Sequence, residues 1–103
     1  MNPDPVVDHV VGKIAEAIRP EQIILFGSRA RKDAHPESDM DLLIVYDGPL
    51  SKREVKLKVR RLFPSPDFSM DLFVLTAEEL ERQRKVVSTV GRVASREGVV
   101  CYG

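Results

Sequence analysis

Asp39 and Asp41 stand two residues apart at the start of an apolar run that continues to Tyr46. Side chains alternate along a strand, so residues i and i+2 share a face and these two carboxylates lie side by side. Without a cation they repel, and one tends to take up a proton. A divalent metal removes the conflict. Hard oxygen ligands in small number suit magnesium, Mg2+, which keeps waters and takes further ligands from substrate phosphates. A third carboxylate, Asp71, sits inside Phe68-Ser69-Met70-Asp71-Leu72-Phe73-Val74-Leu75, an otherwise apolar run. A charge in such a run is costly unless it is paired or bound to metal. If that strand lies beside the one opened by Met40, then Asp39, Asp41 and Asp71 make a three-carboxylate site for one or two metal ions. Two metals about 4 Å apart clamp the attacking and leaving oxygens of an in-line phosphoryl displacement.

The second grip lies just upstream. Gly27-Ser28 follows the apolar stretch Gln22 to Phe26, and Arg29 and Arg31 follow the serine. Glycine lets the backbone approach a ligand closely, and the Ser28 hydroxyl and nearby N–H groups can hold phosphate oxygens. Either arginine can add charge-assisted bonds to phosphate. A Gly-Ser followed by Arg is weak alone, and so is an Asp-x-Asp. Their combination is stronger, because each is flanked by an apolar strand and a lone aspartate waits in a third. Gly27, Ser28, Arg29 and Arg31 are therefore candidate phosphate-binding residues, and the resemblance set out below makes them candidates for binding a nucleotide.

The elements that must position these residues follow from periodicity. Asp4-Pro5 reads as a helix start. Val6, Val7, Val10, Val11, Ile14, Ala15 and Ile18 recur at helical spacing, and Pro20 closes the helix. Gln22 to Phe26 reads as a buried strand, Ser28 to Arg31 as a short helical opening, and Asp33 to Ser38 as loop. Met40 to Tyr46 is a second strand. Ser51 and Glu54 fit a capping box opening a helix with Val55, Val59, Leu62 and Phe63 inward and Lys52, Lys56, Lys58, Arg60 and Arg61 outward. That basic face reads as solvated, with a partner or nucleic-acid surface as the alternative. Phe68 to Leu75 is a third strand, Thr76 and Glu79 open a helix expected to run to about Thr89, and Val99 to Tyr102 is a short closing strand. The expectation is an α/β (α+β) fold: a small mixed β-sheet of three or four strands with helices packed on it. His9 and His35 read as solvated, and Tyr46 and Tyr102 as amphipathic strand-end residues.

A chain of 103 residues suffices for one domain with one core, taken as 1–103. Lys+Arg and Asp+Glu both number 16, so no global charge draws the chain to nucleic acid. Cys101, the lone cysteine, excludes an intrachain disulfide and fits a reducing, cytoplasmic setting. The N-terminal residues lack the pattern of a signal peptide, and no segment suits a membrane span.

Gly27-Ser28, ten residues, then Asp39-x-Asp41 resembles the signature of the DNA polymerase β-like nucleotidyltransferase superfamily, and the short chain resembles its minimal nucleotidyltransferases. The likeness is clearest from Ile23 through Leu75. It implies a nucleotidyltransferase fold, Ser28 on the triphosphate, and Asp39, Asp41 and Asp71 as catalytic magnesium ligands, Asp71 also helping to activate the attacking hydroxyl. Lys32 stands where the family run often has glycine. The resemblance further implies ATP as substrate, a HEPN-domain toxin as partner, and an antitoxin that transfers AMP to a tyrosine of that toxin, in a homodimer or hetero-oligomer. Two readings compete: a binding module that neutralises a partner by complex formation, and a nucleotidyltransferase with a small-molecule acceptor.

Overall fold

The computed structural model describes residues 5–30, 39–64 and 68–103. Its elements run α1 (Pro5–Ile18), β1 (Gln22–Phe26), β2 (Met40–Val45), α2 (Lys52–Arg61), β3 (Met70–Leu75), α3 (Ala77–Gln83), α4 (Val90–Glu97) and β4 (Val99–Tyr102). The strands form one mixed sheet in the order β3-β2-β1-β4, with β2 and β3 parallel and the other two pairings antiparallel. The short connection expected to leave the first two strands antiparallel does so.

Alternation along the strands divides the core into two layers. Ile23 and Leu25 of β1, Met40, Leu42 and Ile44 of β2, and Leu72 and Val74 of β3 meet α1 and α2 through Val7, Val10, Val11, Ile14, Val55 and Val59. On the other face, Ile24, Phe26, Leu43, Val45 and Leu75 meet Leu80 of α3 and Ala94 of α4. β2 is the central strand in this respect: Leu42, Leu43 and Ile44 are wholly buried, serving both layers. Val6, expected on the buried stripe of α1, is 38% exposed instead, at the edge of the helix face that Val7 and Val10 bury.

Both expected capping boxes are present. The Ser51 hydroxyl accepts from the Glu54 N–H at 3.1 Å, and Glu54 accepts from the Ser51 N–H at 3.2 Å. Thr76 and Glu79 repeat the exchange at 3.1 and 2.9 Å. The third strand begins at Met70, later than Phe68. The helix opened by Thr76 does not reach Thr89; it ends at Gln83, and a separate helix α4 follows. Thr89 causes the break. Its side chain caps α4 by accepting from the Arg92 N–H at 3.2 Å, and its hydroxyl lies 2.8 Å from the Val86 carbonyl. Ser88 turns the chain there through a positive φ of 71°. Among the described residues no helix is long and apolar enough to cross a membrane.

Candidate active site

The sheet's mixed directions decide what meets what. β1 runs toward the edge of the sheet from which β2 and β3 set out. The C-terminal end of β1 therefore shares that edge with the N-terminal ends of β2 and β3. The register is Phe26 opposite Asp41 and Asp41 opposite Asp71. Neighbouring strands are about 4.8 Å apart. In parallel register two residues at the same level point to the same face, so the Asp41 and Asp71 carboxylates emerge side by side. The face is the one carrying Leu43, Val45 and Leu75. Beneath them Phe26 packs against Phe73, ring centroids 5.5 Å apart. Asp39, just before β2, is exposed, as is Asp71, whereas Asp41 is half-buried.

The electrostatics record this convergence. Burial pushes the Asp41 carboxyl up from the ordinary 3.8, the negative charges of Asp71 and then Asp39 push it further, and a hydrogen bond to the Asp71 side chain acts in the same direction. A divalent cation relieves the same repulsion, and this hard, all-oxygen donor set suits magnesium with waters completing its shell. In the present arrangement, no three His, Cys, Asp or Glu side chains among the described residues stand as a ready-made metal cluster.

Gly27 closes the site from the β1 side. Its φ is +76°, a region that favours glycine. A β-carbon at this position would stand 2.2 Å from Oδ2 of Asp41. The following residues, Ser28–Ala30, form one 3-10 turn closed by the Ala30 N–H to the Gly27 carbonyl at 3.2 Å. This is the short helical opening expected from Ser28; Arg31, where that expectation ended, lies outside the described residues. Arg29 lies half-buried in that turn. The Ser28 side chain, Arg31, Lys32 and His35 lie outside what the structure describes.

A cavity of about 580 Å³ opens on the β3 side, and Asp39 and Asp71 line it together with Arg60, Phe63, Phe68 and Ser69. Phe63 and Phe68 meet edge to face at 5.6 Å. His9 is exposed and lies against the Phe63 ring at 6.4 Å. Nothing in the local sequence singles out Arg60, Phe63 or Phe68 as site residues. Arg60 lies in the last turn of the amphipathic helix α2, Phe63 follows its end and Phe68 opens an apolar run, so only tertiary packing brings them to the carboxylates. Tyr46 is buried with its hydroxyl accepting from the Leu50 N–H at 3.3 Å, a structural duty.

Residues 11–95 match the family described as nucleotidyltransferase domain. No curated protein matches the sequence. Among solved structures, a similar chain comes from a toxin–antitoxin crystallised with AMP-PNP, at 20% identity and a TM-score of 0.61, covering 93% of this chain and 73% of that one. Another comes from a mutant of the toxin–antitoxin MntA-HpeT with two aspartate-to-glutamate changes at positions two apart, at 18% identity and a TM-score of 0.60, with the same coverage. At such identities the likeness is one of fold.

Proposed function

The chain belongs to the nucleotidyltransferase domain family, and from that premise we propose that it is a magnesium-dependent transferase that moves AMP from ATP to a hydroxyl of a partner protein, acting as the antitoxin of a toxin–antitoxin pair. The observation that carries the reading is the register of Asp41 with Asp71 across two parallel strands, with Asp39 near enough to raise Asp41 and Gly27 closing over it. The solved structures with the same fold favour the antitoxin role, since both belong to toxin–antitoxins and one was crystallised with AMP-PNP. The partner fits best as a HEPN-domain toxin with a tyrosine acceptor, the role implied by the resemblance of the Gly27-Ser28 and Asp39-x-Asp41 signature.

Within this reading each residue has a task. Asp39, Asp41 and Asp71 would hold the magnesium, which when bound supplies positive charge to the reacting phosphate and lowers the cost of ionising the hydroxyl. Backbone N–H groups of the turn after Gly27, with Ser28, Arg29 and Arg31, hold the β- and γ-phosphates. Asp71 lies on the side away from Gly27 and receives the acceptor hydroxyl. The acceptor oxygen forms a bond to the α-phosphorus while the bond from that phosphorus to the β-bridging oxygen breaks. The hydroxyl proton passes by way of Asp71 to solvent, and pyrophosphate leaves on the Gly27 side. Placement and charge neutralisation account for the rate.

A second reading, a binding module that neutralises its partner without chemistry, is favoured by one observation: Lys32 stands where the family run often has glycine. One experiment separates the two. The protein is incubated with ATP labelled at the α-phosphate, magnesium chloride and the protein encoded beside it. Label on the partner, lost in Asp41→Asn, supports transfer. No label, together with undiminished neutralisation by Asp39→Asn and Asp41→Asn, rejects it in favour of the binding module.

A further inference from the structure

Helix α2 holds six of the chain's 16 cations in ten residues, Lys52, Arg53, Lys56, Lys58, Arg60 and Arg61, against one acid, Glu54. The whole chain is neutral, so this is a local concentration of charge and not a reflection of composition. Its arrangement is not uniform either. Val55 and Val59 face the core. Arg53, Lys56, Leu57 and Arg60, at helical spacings of three and four, make a stripe on the outer side. Lys52 lies outside that stripe and is already engaged, 2.7 Å from Glu79. Leu57 is 43% exposed in the middle of the stripe, an apolar point among cations. The stripe ends in the cavity: Arg60 lines it, one turn before Phe63 and Pro64, and Asp71 and Asp39 line its other side. Among the described residues Arg60 makes no ion pair.

The sheet order gives this cavity a direction. Gly27 is on β1, Asp41 on β2 and Asp71 on β3, in consecutive neighbouring strands. A phosphate chain held at Gly27 and a group entering by Asp71 approach the carboxylates from opposite sides, as in-line displacement requires. The cavity is then the acceptor's entrance, and α2 is the wall the acceptor must pass. We propose that the Arg53–Lys56–Leu57–Arg60 stripe is the docking surface for the acceptor, that its occupant is an acidic polypeptide segment of the partner, and that Arg60 pairs with an acidic residue beside the modified hydroxyl. The proposal rests on the transferase reading for the identity of the cavity. The complementarity argument is direct: interface charges of opposite sign steer encounter and set register, and like charges reject other partners. A polypeptide fits better than a nucleic acid because Leu57 interrupts the cations with an apolar contact, and the cavity at the end of the stripe is walled by Phe63, Pro64 and Phe68.

The test uses the full chain and a fluorescent random copolymer of glutamate and tyrosine, with a lysine–tyrosine copolymer and single-stranded oligouridylate as competitors. Binding is read by anisotropy at low and moderate salt. The charge-reversal pair Lys56→Glu/Arg60→Glu lies on exposed positions, so the fold survives, as circular dichroism will check. The expected result is that the acidic copolymer binds the natural chain, weakens about tenfold or more on the charge reversal, and is unmoved by Arg82→Glu/Lys85→Glu, on and just beyond α3 on the other side of the sheet. With labelled ATP and magnesium, the same pair should raise KM for the copolymer. Equal binding by the charge-reversed chain, no binding of the acidic copolymer, or tighter binding of the oligouridylate overturns the proposal. Charge-dependent binding of the copolymer, with no AMP transfer to the protein encoded beside the chain, leaves the surface standing and sinks the transferase reading. Transfer indifferent to the charge reversal does the opposite.

Discussion

A β-carbon on Gly27 would stand 2.2 Å from Oδ2 of Asp41, so the turn after β1 and the carboxylate of β2 occupy space that only a glycine can share. The same residue has a φ of +76°. Gly27→Ala therefore meets two obstacles at once. The left-handed backbone costs about 1–2 kcal/mol for a residue with a β-carbon, and the methyl group must displace the Asp41 side chain. Stability should fall by about that amount in denaturant titration, and AMP transfer should be lost even where the protein is fully folded. A Gly27→Ala chain that keeps both natural stability and activity would show that Asp41 does not need its present position.

The Asp41 carboxyl holds its proton more tightly in the folded chain than unfolded, through burial, Asp71 and Asp39. Between the ordinary value of 3.8 and the raised one, the folded state binds more protons, and stability falls as pH rises through that window. At neutral pH the ionised group is a net cost. Asp41→Asn should then melt above the natural protein at pH 7 in the absence of magnesium, and the advantage should vanish as pH drops below about 4. Magnesium should raise the melting temperature of the natural protein and not of the variant, while transfer falls by about a hundredfold or more. A variant that melts lower at pH 7 contradicts the electrostatic account of the site.

Much of the sheet was legible because its strands are short apolar runs bounded by Gly27, by the Asp39–Asp41 pair and by Pro and Gly turns. The mixed topology followed from the brevity of the link between β1 and β2. The pairing of Asp41 with Asp71 was legible only as a condition: an aspartate in an apolar run needs company, but nothing local says which strand provides it. Register is a property of the whole sheet, set by Leu42, Ile44, Leu72 and Val74 reaching the α1–α2 layer together. The end of α3 departs from its sequence pattern for a related reason. Val86, Val87 and Val90 continue a helical spacing, yet Val86 and Val87 are exposed, and the hydroxyl of Thr89 starts a new helix there. Arg60, Phe63 and Phe68 were invisible as a cavity because the residues that complete it are far away in the chain.

The two capping boxes are joined at Lys52 and Glu79, 2.7 Å apart. The hydrogen bond from Lys52, then that from the Thr76 backbone, hold the Glu79 carboxyl down at about 2. A depressed folded value contributes stability above the unfolded value of 4.5, and that contribution is lost as pH falls from 4.5 toward about 2. The lysine is half exposed, so solvent screening keeps the ion pair itself below about 1 kcal/mol. Glu79→Gln preserves an oxygen for the Thr76 N–H and removes the charge. Its melting temperature at pH 7 should drop by about 2–4 °C, less in high salt, and the gap should shrink through pH 3. A gap that persists undiminished at pH 2.5 would assign the effect to packing.

The α3–α4 corner depends on Thr89. Its side chain accepts from the Arg92 N–H, and its hydroxyl lies 3.0 Å from the Gln83 carbonyl and 2.8 Å from that of Val86. Gln83 in turn accepts from the Gly91 N–H at 2.8 Å, and a β-carbon on Gly91 would meet Gln83 at 2.5 Å. Thr89→Ala removes the cap and should cost about 1 kcal/mol. Thr89→Ser keeps the hydroxyl and should recover most of it. Since α4 covers the sheet face through Ala94 and leads directly into β4, hydrogen exchange in Thr89→Ala should quicken across Val90 to Tyr102 and stay slow in β2. Uniform quickening through β2 would mean instead that α4 and β4 unfold only with the whole sheet, and that the corner is no separate unit of stability.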